Sequence, residues 1–236
     1  MDPRNGMFIT FEGADGSGKS TQAARLAASL RLAGHKVVET REPGGSPRAE
    51  AIRALLLSGK ASHSGPFGEM LLFNAARADH LRATIRPALA QGAIVICDRF
   101  ADSTRAYQGA LGEVSDELVR AAEAAVVGDT APDLTIILDL PPELTVKRLG
   151  MRRAAEKPDR FEAEALAHHA KLRQAYLDIA AEAPERCVVI SARRSIDQVA
   201  ERILRLATKR LDTGAPKPPA RRAAKVVDDR AQRQIR

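Results

Sequence analysis

The sequence predicts an α/β protein built on a doubly wound, five-stranded parallel sheet flanked by helices. Three observations carry this expectation. Five short segments are nearly continuous apolar runs, the pattern of strands covered on both faces. Longer stretches of helical periodicity separate them, and strand–helix alternation builds parallel sheets through right-handed crossovers. The chain has 236 residues, 44% of them hydrophobic, which suits one α/β domain with a short appendage. Aromatic residues make up only 3% and tryptophan is absent, so the core must come mainly from Ala, Leu, Ile and Val.

The elements follow in order. The first strand, over residues 7–11, runs into a glycine-rich loop. The helix after it, over 19–33, is rich in Ala and Leu and stops at Gly34, a residue suited to the position after a helix end. The second strand, over 36–40, is followed by Arg41-Glu42-Pro43-Gly44-Gly45. A long helix is expected over 66–90, where Phe67, Met70, Leu71, Ala78, Leu81, Ile85 and Leu89 fall into one apolar stripe. The third strand, over 93–97, closes on Asp98-Arg99, and the fourth covers 134–140. Helices over 141–153 and 162–182, a fifth strand over 187–191 and a helix over 195–210 complete the domain, which is expected to span residues 1–211.

Two segments stand apart. Residues 150–160 are polar, and Arg148, Arg152, Arg153, Lys157 and Arg160 cluster around them. They read either as a lid closing over phosphates or as a solvated basic loop. Residues 212–236 hold Pro216, Pro218 and Pro219 and little that is apolar, and read as a basic, disordered tail. This tail carries seven basic residues against three acids, so more than half of the net charge of +7 lies outside the domain. A nucleic-acid partner therefore rests mainly on the tail, which is weak support. The longest apolar runs are strand-sized, far short of the roughly 20 residues that span a bilayer. The N-terminus leads straight into a strand without a charged leader and an apolar stretch. No membrane is expected, and the cytoplasm is the expected location. Cys97 and Cys187 sit inside apolar runs without metal-ligand spacing and read as buried, reduced thiols.

Chemistry concentrates at the carboxyl edge of the sheet, where ligands of such folds bind. Gly13-Ala14-Asp15-Gly16-Ser17-Gly18-Lys19-Ser20 matches G-x-x-x-x-G-K-[ST] in full, between a strand and a helix. In such a loop the glycines let backbone N–H groups face phosphates, and the helix N-terminus adds partial positive charge. Residues Gly13 through Ser20, with Thr21, form the expected ATP site. Lys19 would reach the β- and γ-phosphates, and the Ser20 hydroxyl would ligate Mg²⁺. Asp98, at the end of the third strand, would join the Mg²⁺ shell, or else cap the strand or pair with Arg99. No NKxD guanine reader follows a later strand, which counts against a switch GTPase.

A second substrate is indicated nearby. Arg41 and Arg99 both end strands at this edge and suit bidentate phosphate contacts. Phe73 and Arg77 are four apart on one helix face, off the centre of the apolar stripe. They could stack and read a base, or cover a neighbouring helix and face solvent. Ser103, Thr104, Tyr107 and Gln108 offer hydroxyls, a phenol and an amide, or an ordinary polar helix start.

These motifs together resemble the bacterial thymidylate kinases. The segments that carry the resemblance are Phe11-Glu12-Gly13-x-Asp15-Gly16-Ser17-Gly18-Lys19-Ser20-Thr21-Gln22, Arg41-Glu42-Pro43-Gly44-Gly45, Leu72-Phe73-x-Ala75-Ala76-Arg77, Asp98-Arg99, Ser103-Thr104-x-Ala106-Tyr107-Gln108-Gly109, Pro132-Asp133-Leu134-Thr135 and Asp159-Arg160-Phe161-Glu162, all in family order. The resemblance implies a P-loop, nucleoside-monophosphate-kinase-like fold, ATP and dTMP as substrates, Mg²⁺ and a homodimer. It implies that Phe73 stacks on thymine, Arg77 and Gln108 read its edge, and Tyr107 packs under the sugar, with Thr104 in the same site. Asp15 would touch the 3′-hydroxyl, and Arg99 and Arg41 would hold the dTMP phosphate. The P-loop lacks a base between its glycines, so Arg152 and Arg153 of the lid would assist transfer beside Lys19, Arg99 and Asp15. Another monophosphate or deoxynucleoside kinase, or a P-loop ATPase with a nucleic-acid-binding tail, is the alternative.

Overall fold

The structure is a computed structural model that describes residues 6–112, 114–153 and 161–213. Strands β1 (Met7–Glu12), β2 (Val37–Arg41), β3 (Ile94–Asp98), β4 (Leu134–Asp139) and β5 (Cys187–Ser191) form one parallel sheet in the order β2-β3-β1-β4-β5. The three inner strands are buried along almost their whole length. The edge strand β2 turns Glu39 and Arg41 to solvent.

Successive strand residues face opposite sides of a sheet. On one side Met7, Ile9 and Phe11 pack with Leu26 and Leu30 of α1 (Lys19–Leu32) and with Val199 and Ile203 of α9 (Ile196–Thr213). On the other side Phe8 meets Phe100 edge to face, ring centres 4.9 Å apart, amid Leu81, Ile85, Leu89 and Val95. Further along that face, Ile137 packs against Leu172, Tyr176 and Ile179 of α8 (Phe161–Glu182). Both faces are thus covered, as continuous apolar strands require.

The remaining helices are α2 (Pro47–Leu57), α3 (Gly65–His80), α4 (Arg86–Ala90), α5 (Ala101–Thr104), α6 (Asp116–Val127) and α7 (Pro142–Arg153). The single helix expected over 66–90 is divided. A π-helical turn over Leu81–Ile85 separates α3 from α4 immediately before Pro87. Proline has no N–H for the ladder and crowds the carbonyl four residues back, which a wider turn relieves. A second π-helical turn, Arg105–Leu111, continues α5. Phe67 and Leu71, placed in the core stripe by periodicity, are half exposed. Two helices lie where periodicity suggested none. Pro47 starts α2, and Ser115 caps α6 by accepting the Leu118 amide. Helix α9 runs three residues past its expected end, and residues 214–236 lie outside the described ones. Among the described residues no helix is long and apolar enough to cross a membrane.

One buried ion pair ties the sheet to the α5 segment. Arg186, just before β5, donates to both carboxylate oxygens of Asp102 at 2.6 and 2.8 Å and to the Thr135 hydroxyl at 2.8 Å. Thr135 in turn lies 2.9 Å from the Thr10 hydroxyl of β1. Removing one partner of such a pair strands the other charge in the interior. Arg186→Ala is expected to lower the unfolding free energy by about 3–5 kcal/mol, measured by urea denaturation. The double variant Arg186→Met with Asp102→Leu should lose clearly less.

Candidate active site

The loop between β1 and α1 depends on glycine backbone. Gly13, Gly16 and Gly18 have φ of 128, 77 and 98°. A Cβ on Gly13 would lie 2.6 Å from the Leu138 carbonyl oxygen of β4. Lys19 folds back onto this loop, and its Nζ donates to the carbonyls of Gly13 at 3.0 Å and Ala14 at 2.9 Å. Burial, followed by the neighbouring Arg99, lowers the Lys19 ammonium to about 8. Two neutral carbonyls offset little of a buried charge, so an anionic phosphate is a better partner than either.

Ser20 Oγ donates to Asp98 Oδ2, while Asp98 Oδ1 is buried with no partner among the described residues. A hydroxyl and an underused carboxylate oxygen beside the phosphate loop suit a small, hard cation that shares phosphate oxygens. The donor set fits Mg²⁺. The alternative pairing of Asp98 with Arg99 is not formed, because Arg99 Nη2 reaches Asp15 at 2.6 Å instead.

Arg99 has a φ of 70°, the one non-glycine residue with a positive φ among those described. Such a residue persists only where its surroundings over-determine it. Its amide donates to Phe11 O at 2.9 Å, and the next amide, Phe100, donates to Glu12 Oε1 at 2.7 Å. The Arg99 guanidinium lies over the Tyr107 ring, 5.2 Å from its centre. Burial, then Asp102, pushes the Glu12 carboxyl up to about 7, against donors that favour its charge.

Arg77 is buried, which corrects the reading that would leave it on the surface. Its Nε donates to Glu42 at 2.8 Å, Nη1 to Asn74 at 3.2 Å, and Nη2 to Phe100 O at 3.2 Å and Thr104 Oγ1 at 3.0 Å. Glu42 also meets His80 Nδ1 at 3.1 Å, and His80 Nε2 lies 2.7 Å from Thr40 Oγ1. These partners leave one Nη1 hydrogen of Arg77 for the cleft. Arg41 lines the cleft but is half exposed, with its guanidinium 3.1 Å from Glu50.

A single cleft of about 470 Å³ brings these groups together. Its nucleotide end is walled by Asp15, Gly16, Gly18, Lys19, Ser20 and Thr21, with Asp98 beneath. Its other end is lined by Arg41, Phe73, Arg77, Arg99, Thr104, Tyr107 and Gln108. Gly13, Ala14 and Ser17 lie behind the loop surface and are buried. Ser103 lines the cleft as well, and so do Glu42, Arg53 and Leu57, to which sequence reasoning gave no site role. Arg53, one turn after Glu50 on α2, donates to Pro43 O at 2.7 Å. Its signal was its position on a helix that periodicity did not reveal. Arg148 reaches back from α7 to Gly16 O at 3.3 Å and Ala192 O at 3.0 Å. The side chains of Arg152 and Arg153, with Lys157 and Arg160, lie outside the described residues.

A phosphate loop with a cation-ready hydroxyl and carboxylate, opening onto a second pocket with an arginine and a base-sized wall, defines a P-loop nucleoside-monophosphate kinase. Comparison with known proteins narrows the class. Residues 11–203 match the thymidylate kinase family. A thymidylate kinase of Nitrobacter hamburgensis is 56% identical over 195 residues, covering 83% of this chain and 85% of that one. One from Caulobacter vibrioides is 54% identical over 206 residues, covering 87% and 98%. The crystal structure of thymidylate kinase from Ehrlichia chaffeensis superposes with a TM-score of 0.69 at 36% identity, covering 86% of this chain and 98% of that chain. This chain belongs to the thymidylate kinase family.

The loop geometry generates one test. Gly13→Ala forces a Cβ against the Leu138 carbonyl at a positive φ, a strain of about 1–3 kcal/mol. Calorimetric titration with a non-hydrolysable ATP analogue should show affinity reduced by about tenfold or more.

Proposed function

We propose that this protein phosphorylates dTMP to dTDP at the expense of ATP, in the cytoplasm and with Mg²⁺. The observation that carries the reading is the continuity of the cleft. The P-loop and Lys19 share one cavity with an arginine at a strained strand end and with Phe73, Tyr107 and Gln108. A donor phosphate and an acceptor phosphate can therefore meet between Lys19 and Arg99.

The roles follow from the geometry. Loop amides and Lys19 hold the β- and γ-phosphates, Lys19 leaving its two carbonyls for the stronger anionic partner. Ser20 and Asp98 would hold Mg²⁺, which would neutralise charge on the phosphates. At the other end Phe73 stacks on thymine, and Gln108 and the free Nη1 hydrogen of Arg77 face its polar edge. Thr104 is committed to Arg77 and acts through it. Tyr107 lies against the sugar, and Asp15 accepts from the 3′-hydroxyl. Arg99 and Arg41 take the acceptor phosphate, exchanging Asp15 and Glu50 for it. No side chain becomes a covalent nucleophile, because the attacking atom is a dTMP phosphate oxygen that is already anionic. Catalysis is positioning and charge stabilisation, completed by Arg152 and Arg153 at the end of α7. A homodimer is proposed as well, supported by Phe67 and Leu71 of α3 and Leu118 of α6. These are 48–49% exposed on helices that pack together.

Two measurements check this. In an ADP-release assay with ATP and Mg²⁺, turnover with dTMP should exceed that with dUMP, dCMP, dGMP, AMP or thymidine. ADP release independent of any acceptor would sink the assignment. The double variant Arg152→Ala with Arg153→Ala should lower kcat by about 10³-fold while KM for ATP changes little. An unchanged kcat would remove the lid arginines from the mechanism.

A further inference from the structure

Glu12 closes β1, one residue before the P-loop, and is fully buried. Nearly everything around its carboxylate is a donor. Oε1 accepts the Phe100 amide at 2.7 Å. Oε2 accepts the Ser103 hydroxyl at 2.7 Å and the Tyr176 phenol at 3.3 Å. The same two hydroxyls face Arg99, whose Nη1 donates to Ser103 Oγ at 2.9 Å and to Tyr176 Oη at 3.3 Å.

With Glu12 ionised, the form its donors favour, hydrogen counting fixes the direction of this chain. A guanidinium has only donors, and each hydroxyl carries a single hydrogen. Toward Arg99 both oxygens must therefore accept, so their hydrogens must point elsewhere. The carboxylate of Glu12 receives them. Tyr176 can also pass its hydrogen to Ser103, 3.1 Å away, and the chain then still ends on Glu12. Glu12 thus grips Arg99 twice. One grip fixes the amide that follows its left-handed backbone, and the other orients the acceptors for its Nη1. Its Nη2 remains with the exposed Asp15, the Tyr107 hydroxyl 3.4 Å away, and can be handed to an incoming anion.

We propose that Glu12 is a positioning residue for the acceptor phosphate, holding Arg99 in place through the Phe100 amide and the Ser103 and Tyr176 hydroxyls. This rests on the assignment of Arg99 to the dTMP phosphate. Glu12 touches no substrate. In Glu12→Gln the amide NH₂ meets either the Phe100 amide or the two hydroxyl hydrogens. If it meets the hydroxyls, they turn their hydrogens toward Arg99, which repels them and collapses onto Asp15.

Thymidine carries the same base and sugar without the phosphate, so comparing it with dTMP isolates the effect. Calorimetric titrations of both ligands would be run on the wild-type chain and on Glu12→Gln, Ser103→Ala and Tyr176→Phe, with steady-state kinetics alongside. Glu12→Gln should weaken dTMP by about tenfold or more, a typical cost for a lost charge-assisted hydrogen bond. Thymidine affinity and KM for ATP should stay near wild type. Ser103→Ala and Tyr176→Phe should show the same pattern, more mildly. Equal loss of dTMP and thymidine, or unchanged dTMP affinity, would overturn the proposal. If Glu12→Gln does not fold, the Ser103→Ala/Tyr176→Phe double variant decides: selective loss of dTMP supports the relay, and full retention overturns it. A wild-type chain that fails to bind dTMP would instead overturn the substrate assignment, and the inference with it.

Discussion

The parallel pairing of β1 with β3 sets Phe11 opposite Asp98. From that register the whole carboxyl edge follows. β1 must end at Glu12 and turn into the P-loop, while β3 must end at Asp98 and turn into Arg99. The P-loop hydroxyl of Ser20 then falls against Asp98, and the carboxylate of Glu12 falls against the first amide of the α5 segment. A slip of one residue would turn every side chain on the strand to the other face. The apolar faces on the two sides of β1 forbid that slip, since Phe8 and Ile9 each fit a different half of the core. Hydrophobic packing over the length of the sheet therefore fixes polar geometry at its end.

Buried charges at and behind the cleft wall satisfy one another. Arg77, Glu42 and His80 form one group, and Asp102 and Arg186 form a second. Buried pairs contribute little net stability compared with apolar residues of the same size. What they do here is limit rotamers. A guanidinium held by Glu42, Asn74, Phe100 and Thr104 cannot wander, so its last hydrogen points in a fixed direction. The apolar wall of Phe73 and the aromatic faces of Phe100 and Tyr107 complete a pocket whose polar contacts are few and fixed.

Much of this was legible in the sequence because it is local. The five strands, the P-loop and the order of the motifs each depend on residues within a dozen positions of one another. The cleft drew together the P-loop and the arginines, aromatic and amide expected beside it, from segments up to about 90 residues apart. What escaped reading depends on distant partners. The burial of Arg77 is set by Glu42, 35 residues away, and by Thr104, 27 away. Glu12 looks like a strand end until Ser103 and Tyr176 fold against it, 91 and 164 residues on. Helices α2 and α6 were missed although Pro47 and Ser115 mark their starts; the apolar residues of α2 pack on α3 rather than on the sheet, which blurs its stripe, whereas Val127 of α6 does reach the sheet core.

The two tyrosines of this chain, Tyr107 and Tyr176, both donate or accept around Arg99, and the chain has no tryptophan. Excited at wavelengths that phenylalanine does not absorb, its emission thus originates beside Arg99 alone. Quenching of a phenol responds to its hydrogen-bond partners and to nearby charge. The unlabelled protein therefore carries its own optical gauge of that arginine, free of background from any other part of the fold.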